Sequence, residues 1–414
     1  MQSMPADHRP DASLALLADP YRFISDQCKH FNSDVFEARI LLERSICMSG
    51  PAAAEVFYDA TRFTRKGAAP EPLRKTLFGS GGVQTLDGMP HRHRKTMFMG
   101  LMTRESIAHL TALMLKEWVG AASSWVGKDI VLYDALHEPM MRAVSRWAGV
   151  DLPDAHIAGR AHDLVELFDE AGTMGLGHFR ARLARGRAEK WMSGFIEDIR
   201  AGRVGVAPGS AAERIALHRE LDGRLLPGDV AAVELINVLR PTLAVSVYIV
   251  HAAHALHFNP HCRERLRGGD NRYAEAFTQE VRRYYPFFPV VVARVREDFE
   301  WSGFRFPRGT QTLLDLYGTC HDARAWDEPE CFLPERFLER RPTAYDSIPQ
   351  GGGEHYTNHR CPGEWITESL IHAATVFLVS QLRYEVPDQD LTIDYARLPA
   401  LPKSRFVMRD IAFA

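Results

Sequence analysis

The chain has 414 residues, of which 46% are hydrophobic and 25% charged, the balance of an ordinary globular protein rather than a disordered one. Its formal charge of −3 argues against capture of nucleic acid or of an anionic membrane by overall electrostatics. The first thirty residues carry charges throughout and lack the apolar core of a secretory signal. We therefore expect a cytoplasmic protein without a membrane anchor.

The cysteines are few, and they form no C-x-x-C pair, which argues against a disulfide scaffold and against a structural zinc site. We expect reduced thiols, any one of which can serve as a ligand if its surroundings favour it. The six are Cys28, Cys47, Cys262, Cys320, Cys331 and Cys361.

Helical patterns dominate the first 280 residues. Apolar residues at three- and four-residue spacing predict amphipathic helices over residues 107–119 and 159–174. The basic segment 180–203 has interleaved apolar residues, which favour a solvated helix face over a nucleic-acid site. A helix of roughly 30 residues then begins at Asp229, a good N-cap, and ends at Asn259-Pro260. It contains Pro241, which should kink it or open its hydrogen-bond ladder.

Strand signals are few and late. Residues 290–292 and 310–316 are strand candidates, and residues 299–306 predict a hairpin that turns at Gly303. Residues 307–362 are rich in glycine and proline with little periodicity, and a loop of that length usually carries function. A helical pattern returns over residues 366–382. These patterns predict one large, mainly α domain over residues 1–414 with a small β portion.

Two motifs in the C-terminal third pair acidic and basic residues. Glu280-x-x-Arg283 places a carboxylate and a guanidinium on one helix face, where they can pair with each other and with a third group. Alone this spacing is a weak signal, because such pairs are common on exposed helices. About 50 residues later the chain reads Pro334-Glu335-Arg336-Phe337.

The third motif is a loop from Pro349 to Glu364 that runs directly into a helix. It places Cys361 at the junction, with Gly363 two residues on. A cysteine in this position can direct its sulfur outward near amide N–H donors, which lower the pKa of the thiolate and tune a bound metal. The three glycines of this loop are not a phosphate cradle, since no Lys-Ser/Thr pair follows them.

In this order the motifs resemble the haem-thiolate cytochrome P-450 family, over essentially the whole chain. The resemblance implies a mainly α, triangular-prism fold with a small β portion. It also implies haem b, iron protoporphyrin IX, between the long central helix and the cysteine loop. Cys361 would be the axial ligand of the iron, with a structural network of Glu280, Arg283 and Arg336 behind the haem. The cationic residues on the motifs that bind the haem propionates would be His91, Lys95, Arg294 and His359, together with Arg65.

The departures from the family pattern are informative. The cysteine loop looks longer, and Glu354 and Thr357 replace its usual Phe and Gly. At the centre of the long helix, Arg240-Pro241 replaces the acid–alcohol pair that relays protons in ordinary monooxygenases of the family. A guanidinium stays charged and cannot relay a proton, and a buried cation is costly unless it finds an anion. Either an internal carboxylate is that anion, although Glu234 lies off its face, or Arg240 binds a substrate carboxylate bidentately.

The Arg-Pro helix, the GGG-x-His loop and the segments 64–67 and 75–79 resemble the bacterial fatty-acid peroxygenases. This subgroup uses hydrogen peroxide in place of dioxygen and a redox partner. The resemblance implies hydroxylation of long-chain fatty acids, favoured at Cα and extending to Cβ. The substrate carboxylate would itself move the proton that cleavage of the peroxide bond requires.

The loop at residues 81–88 resembles the one that carries Gln in hydroxylating members and His in members that favour decarboxylation to terminal alkenes. Gln84 therefore points to hydroxylation and joins Arg240 and Pro241 as a candidate catalytic residue. Phe78, Phe287 and Phe288 are candidates for the wall of the acyl channel, with ordinary core aromatics as the competing interpretation.

The competing functions are a conventional monooxygenase that needs a redox partner, a fatty-acid decarboxylase, and a non-catalytic haem-binding sensor or carrier. A separate zinc site is not expected at His251, His254 and His257. Their three-residue spacing distributes them around the helix instead of on one face.

Overall fold

The computed structural model describes residues 3–173 and 175–414. Helices make up most of it, together with a π-helical segment at Arg74–Phe78 and a 3₁₀ turn at Val83–Thr85. The α-helices are α1 Ser13–Ala18, α2 Phe23–Phe31, α3 Pro51–Phe57, α4 Glu71–Leu73, α5 Gly88–Met99, α6 Arg104–Trp125, α7 Leu132–Ala148, α8 Asp154–Asp169, α9 Leu176–Arg200, α10 Ala211–Ala216, α11 Gly228–Phe258, α12 Pro260–Arg267, α13 Asn271–Tyr284, α14 Leu316–Cys320, α15 Arg336–Glu339 and α16 Glu364–Ser380.

Three sheets hold the strands of the described residues. The five-stranded sheet has the order β1-β2-β8-β5-β3, in which only β2 and β8 run parallel. The three-stranded sheet has the order β4-β10-β9, and β6 and β7 form a separate hairpin. The strands are β1 Val35–Ile40, β2 Glu43–Met48, β3 Phe63–Thr64, β4 Ile130–Val131, β5 Val290–Val295, β6 Phe299–Trp301, β7 Phe304–Phe306, β8 Gln311–Asp315, β9 Leu382–Glu385 and β10 Val407–Phe413.

Local signals in the sequence set several helix boundaries. The side chains of Thr103 and Asp270 accept hydrogen bonds from the first turns of α6 and α13, so both are N-caps. Gly149 ends α7 in the left-handed conformation, with φ of 77°. The prediction that Asp229 caps α11 is wrong: Pro227 precedes the helix, and Asp229 lies in its first turn. An acid is favourable there because it faces the positive end of the helix dipole.

Helix α11 forms the centre of the molecule and continues past Pro241. It packs against α7, α8, α9 and α16, whose apolar faces complete the largest hydrophobic cluster. Among the described residues it is the one helix long and apolar enough to cross a membrane, but 89% of its most apolar stretch is buried inside the protein. Its length therefore reflects a core position between other helices.

The predicted late elements are confirmed in the structure. The hairpin of β6 and β7 turns at Gly303, and the candidate strands become β5 and β8. The expected helix over residues 159–174 is α8, which ends at Asp169; Met174 lies outside the described residues.

The expectation that strands occur only late in the chain is wrong. The β1–β2 hairpin lies near the N-terminus, and it forms one edge of the sheet through parallel pairing of β2 with β8, about 260 residues later. In β1 the buried Phe36, Ala38 and Ile40 alternate with Glu37 and Arg39 on the more exposed face, so this early strand carries a period-two signal of its own.

Candidate active site

The cysteine loop packs against the rest of the protein through its glycines. A Cβ at Gly351 would lie 3.0 Å from the hydroxyl of Tyr58, and one at Gly352 would lie 2.8 Å from the carbonyl oxygen of Ala344. Gly351 also has φ of +95°, which a side chain disfavours. The loop closes when the N–H of Cys361 donates to the carbonyl oxygen of Gln350 at 3.0 Å. The glycines therefore permit the close approach that fixes the position of Cys361.

The surroundings of Cys361 raise the pKa of its thiol overall, but they include groups that favour a thiolate. Burial and the nearby charge of Glu364 raise its pKa, while the N–H of Gly363 and the charges of Lys95 and Arg282 act in the opposite direction. The other cysteines are either fully buried or, at Cys331, exposed on the surface. Cys361 thus combines interior access with amide and cationic neighbours, as a metal-ligating thiolate requires.

Glu364, the first residue of α16, gathers the charges beside the thiolate. It binds Arg282 of α13, accepts from Arg360 at 2.6 Å and lies 2.9 Å from Nε2 of His355. Burial opposes its ionisation, but Arg282 and these hydrogen bonds hold the pKa of Glu364 well below its usual range. Arg282 also reaches the carbonyl oxygen of the Gln350 side chain at 3.3 Å, which ties α13 to the cysteine loop. No local pattern in the sequence indicates this network.

The E-x-x-R motif forms the pair that its spacing predicts. Glu280 and Arg283 are fully buried and joined by two hydrogen bonds of 2.7 Å. Arg336 lies 3.4 Å from Glu280, and its guanidinium donates to carbonyl oxygens of the loop before it. The guanidinium of Arg283 donates to the carbonyl oxygens of Cys320 and Cys331. The three residues fasten α13 to the long loop that leads to Cys361.

Four of the five basic residues predicted to bind propionates lie together. The rings of His91 and His359 stack with centroids 3.9 Å apart. Lys95 donates to the carbonyl oxygens of Asn358 and Arg360 in the cysteine loop. Burial lowers the pKa of Lys95 to about 8 and that of His91 to about 3.

Arg65 lies on the same side, with its guanidinium 4.3 Å from the ring of Phe57. Burial lowers the pKa of Arg65 and lowers that of His359 to about 4. Burial thus lowers the pKa of all four residues, so the two histidines are neutral at pH 7, and a ligand bearing carboxylates would favour the charged forms. Arg294 does not join them. It binds Glu43 and the carbonyl oxygen of Gly67 at the edge of the sheet.

Asp87 holds this cluster in place. It accepts from the backbone N–H groups of Arg65 and Lys66 at 3.1 Å and lies 3.6 Å from Nε2 of His359. Arg296, the residue directly after β5, approaches Asp87 to 3.5 Å. Burial acts against ionisation, but the hydrogen bonds from His359 and Thr64 hold the pKa of Asp87 well below its usual value.

Arg240 lies in the middle of α11 with 6% of its surface exposed. No carboxylate of residues 3–173 and 175–414 lies within ion-pair distance of it, and its Nε has no hydrogen-bond partner there. Burial and then the charge of Arg185 lower the pKa of Arg240 to about 9, whereas Cys361 favours its charged form. Arg240 is therefore a cation at neutral pH that lacks an anion among the described residues and lies within electrostatic reach of Cys361.

Glu234, the internal carboxylate closest along α11, is committed elsewhere. It accepts from Arg94 at 3.3 Å, from the N–H of Val83 at 2.8 Å and from Asn237 at 3.0 Å. Arg94 is further bound to Glu220. The alternative in which Glu234 neutralises Arg240 is therefore not the arrangement that the chain adopts.

Gln84 lies on the 3₁₀ turn that faces α11. Its side-chain oxygen is 3.4 Å from Nδ2 of Asn237, one turn before Arg240, and the bond from Val83 to Glu234 fixes the same turn. The structure thus brings the loop of Gln84 to the helix of Arg240 and Pro241, although they are more than 150 residues apart in the chain.

Comparison with known proteins accounts for this arrangement. The family model Cytochrome P450 matches residues 270–407. Cytochrome P450SP alpha (CYP152B1), solved in complex with (R)-ibuprophen, is 55% identical, and the alignment covers 97% of this chain and 99% of that one with a TM-score of 0.96. The chain belongs to the cytochrome P-450 family.

Two further solved structures cover this cytochrome P-450 from end to end. Cytochrome P450EX alpha (CYP152N1) with myristic acid is 43% identical, with a TM-score of 0.97 and full coverage of both chains. A variant of cytochrome P450 OleT in complex with arachidonic acid is 32% identical, with a TM-score of 0.96 over 100% of this chain and 99% of that one. The predicted family and fold are thereby confirmed.

Curated relatives match only locally. Ferruginol synthase of Salvia miltiorrhiza is 34% identical over 121 residues, which are 28% of this chain and 24% of that protein. Ferruginol synthase of Isodon rubescens is 30% identical over 30% of this chain and 25% of its own length. The chain thus spans about a quarter of the length of the curated relatives that it matches.

Cytochromes P-450 carry haem, and the residues of this chain fit it. Cys361 offers one sulfur ligand, and no group of three or more His, Cys, Asp or Glu side chains that could hold a metal ion occurs among the described residues. A metal that arrives already held by a porphyrin needs only such a single axial ligand. The basic cluster of His91, His359, Lys95 and Arg65 suits the two carboxylates of that porphyrin.

The three phenylalanines predicted to wall an acyl channel come from two parts of the fold. Phe78 ends the π-helical segment and packs on the main hydrophobic cluster. Phe287 and Phe288 follow α13 and contact each other edge to face, with ring centroids 4.8 Å apart. All three pack against the main cluster that α11 traverses.

Proposed function

We propose that this cytochrome P-450 uses hydrogen peroxide to hydroxylate long-chain fatty acids beside the carboxylate, mainly at Cα and secondarily at Cβ. The observation that carries the proposal is Arg240, a buried cation without a protein anion in the described part of the chain. A substrate carboxylate is an anion of the right shape for bidentate binding by a guanidinium. The myristic acid and arachidonic acid in the structures of two relatives are ligands of this chemical class.

Haem b, when bound, supplies the chemistry that transfers an oxygen atom from peroxide to carbon. Arg240 would hold the fatty-acid carboxylate, and the side chain of Gln84 would offer a second polar contact from the facing turn. The carboxylate would then move the proton between the two peroxide oxygens, a task for which the helix centre has no acid of its own. Pro241 leaves the carbonyl oxygen of Asn237 without its helical N–H donor, which keeps this turn of α11 polar.

The same arrangement explains the proposed position of oxidation. A carboxylate fixed on α11 places its own Cα and Cβ nearest the cofactor, and Phe78, Phe287 and Phe288 would line the route of the remaining chain. Because peroxide supplies both the oxygen atom and the oxidising equivalents, no redox partner is required. We propose that the protein acts in the cytoplasm and that residues 1–414 form a single domain.

Cys361 would ligate the haem iron as thiolate. His91, Lys95, His359 and Arg65 would bind the propionates. Arg294 is held by Glu43, so its reach toward a propionate would require exchange of that partner.

Product analysis by mass spectrometry tests the proposal. Purified, haem-loaded protein is mixed with hydrogen peroxide and a panel of fatty acids without any reductase. We expect 2-hydroxy acids with a smaller fraction of 3-hydroxy acids. Turnover only with an electron-transfer partner would establish a conventional monooxygenase, terminal alkenes would establish a decarboxylase, and haem binding without product would establish a sensor or carrier.

A decoy experiment tests the role of the carboxylate. Acetate should switch on peroxide-driven oxidation of small non-acidic molecules by the wild-type enzyme but not by Arg240→Ala. Arg240→Lys, which keeps the charge but loses the bidentate fork, should respond weakly. Equal turnover with and without acetate would exclude the carboxylate as the proton carrier.

A further inference from the structure

The two carboxylate oxygens of Glu234, a fully buried residue of α11, accept hydrogen bonds from different donors. Oε1 accepts from the N–H of Val83 at 2.8 Å and from Arg94 at 3.3 Å. Oε2 accepts from Nδ2 of Asn237 at 3.0 Å. Burial raises the pKa of Glu234, whereas these hydrogen bonds and the charge of Arg94 favour the ionised form. An ionised carboxylate has no hydrogen to donate, so the amide of Asn237 must turn its N–H end toward Glu234.

The orientation of the Asn237 amide fixes that of Gln84. Nδ2 of Asn237, held by Glu234, also donates to Oε1 of Gln84 at 3.4 Å. The oxygen of the Gln84 amide is thereby used inside the protein, and its N–H end points away from Asn237. Oδ1 of Asn237 has no hydrogen-bond partner among the described residues, so turning this amide around would break no other hydrogen bond there. Glu234 therefore decides which end of each amide faces which way.

The absence of a side chain at Gly82 allows the two amides to meet. Gly82 has φ of −66°, which any residue adopts, so its backbone conformation does not require glycine. A Cβ there would lie 2.8 Å from Oε1 of Gln84 and 3.2 Å from Nδ2 of Asn237. Any side chain would thus push against both amides. The glycine is needed for this close approach.

We propose that Glu234 is a positioning residue that sets the preference of the enzyme for acids over uncharged head groups. Acting through Asn237, it makes Gln84 present N–H donors to the substrate. A carboxylate only accepts, and its charge strengthens such hydrogen bonds, whereas an uncharged fatty amide accepts more weakly. This inference rests on the proposed function, in which Gln84 contacts the substrate carboxylate held by Arg240.

Glu234→Gln should reverse the orientation of both amides with little change in side-chain size. Val83 and Arg94 can only donate, so they keep the oxygen of the new side chain, and its NH₂ group faces Asn237. Asn237 then turns Oδ1 toward that donor. Gln84 in turn directs its N–H end to Oδ1 and its oxygen to the substrate. A carbonyl oxygen cannot donate to a carboxylate, so the acid loses one hydrogen bond and an amide does not.

Isothermal titration calorimetry of the haem-loaded protein with tetradecanoic acid and with tetradecanamide tests this assignment. The wild type should prefer the acid. In Glu234→Gln we expect the affinity for the acid to fall about tenfold or more, the value of one hydrogen bond to a charged group. The affinity for the amide should be unchanged or higher. Glu220→Gln, which removes the other carboxylate bound to Arg94, is the matched control and should keep the wild-type preference.

The direction of the change separates orientation from simpler explanations. Glu234 carries a negative charge six residues before Arg240 on the same helix, so its removal should by itself tighten the binding of an acid. An acid preference that is unchanged or increased in Glu234→Gln would overturn the proposal. Equal losses for acid and amide would show a purely structural role, which also overturns it.

A double-mutant cycle tests whether Glu234 acts through Gln84. Gln84→Leu removes the amide that is oriented, so adding Glu234→Gln in that background should not change the ratio of the two affinities further. A full effect of Glu234→Gln without Gln84 would refute the relay. If Glu234→Gln does not load haem, Asn237→Leu decides. It leaves Gln84 without an orienting donor and should reduce the acid preference, and an unchanged preference would contradict the proposal.

Product analysis with hydrogen peroxide distinguishes failure of this inference from failure of the proposed function. Hydroxy acids from a wild-type enzyme whose acid preference is independent of Glu234 contradict the positioning role alone. An acid preference that depends on Glu234, in an enzyme that yields no hydroxy acid, supports the positioning role and contradicts the proposed function. Hydroxy acids together with a preference that depends on Glu234 support both.

Discussion

The two sides of the candidate active site differ in whether their buried charged side chains form ion pairs within the protein. On the side of α13 and α16, Glu280 meets Arg283, and Glu364 meets Arg282, so each buried carboxylate has a protein cation. On the α11 side, Arg240 is as buried as these groups but has no anion within the described residues. The paired charges support the fold whether or not a ligand is bound. The charge of Arg240 would be paired only when a ligand supplies the anion, and this difference separates the scaffold from the proposed substrate site.

The largest effect on folding should come from the paired side. Glu280→Ala leaves Arg283 charged and fully buried, and removal of one partner from such a pair costs about 3–5 kcal/mol. We expect a corresponding loss in the free energy of unfolding, measured by chemical denaturation, together with reduced haem content. Glu335→Ala, at an exposed carboxylate 3.6 Å from Arg265, is the matched control and should change stability by less than about 1 kcal/mol. Equal effects of the two variants would show that the motif does not carry the structure.

The unpaired side should respond in the opposite way. Arg240→Ala removes a buried charge that has no partner in the described part of the chain, so the free enzyme should fold and bind haem at least as well as the wild type. Its affinity for a fatty acid should fall by roughly two to four orders of magnitude, as expected for loss of a buried charge pair worth about 3–5 kcal/mol. Spectral titration with a fatty acid and with its methyl ester measures the effect. If Arg240→Ala does not fold, or still binds the fatty acid tightly, Arg240 is not a substrate-binding charge distinct from the paired charges of α13 and α16.

The carboxylate of Asp87 should make an intermediate contribution to folding stability, and that contribution should depend on pH. Its pKa lies well below the usual 3.8 because of hydrogen bonds to the ionised form. Such a carboxylate stabilises the fold at pH values above 3.8, and the contribution is lost as pH falls toward the lowered pKa. Asp87→Asn should therefore be less stable than wild type at pH 7, by about 1.5–3 kcal/mol. Thermal denaturation as a function of pH should show the two proteins converging in acid, and a constant difference would exclude this linkage.

The smallest effect should be a change in product ratio. Gln84→His places a titratable donor beside the proposed carboxylate position. We expect a larger fraction of terminal alkene, with haem incorporation and stability unchanged, measured by gas chromatography of the products. Asn237→Leu removes the amide that contacts Gln84 and serves as a companion variant. If neither variant changes the ratio, this turn does not reach the substrate.

Some features follow from the sequence because they are local. Glu280 and Arg283 pair at the predicted three-residue spacing, the hairpin turns at Gly303, and Cys361 stands where a loop meets a helix. In each case a few consecutive residues contain the whole signal, so periodicity, turn chemistry and motif spacing are sufficient. The order of these local motifs was enough to indicate the family that the comparisons confirm.

Only the tertiary structure decided which charges are paired. The sequence contained Glu234 and Arg240 on one helix, but Arg94, 140 residues away, takes the carboxylate. The sequence likewise did not indicate that Arg282 forms an ion pair with Glu364, 82 residues later. Nor did it indicate that Arg294 pairs with Glu43. The residues next to a charged side chain in the sequence do not indicate its ion-pair partner. The partner depends on which segments the packed core brings together. For the same reason, that Arg240 has no protein anion in the described chain became visible only in three dimensions.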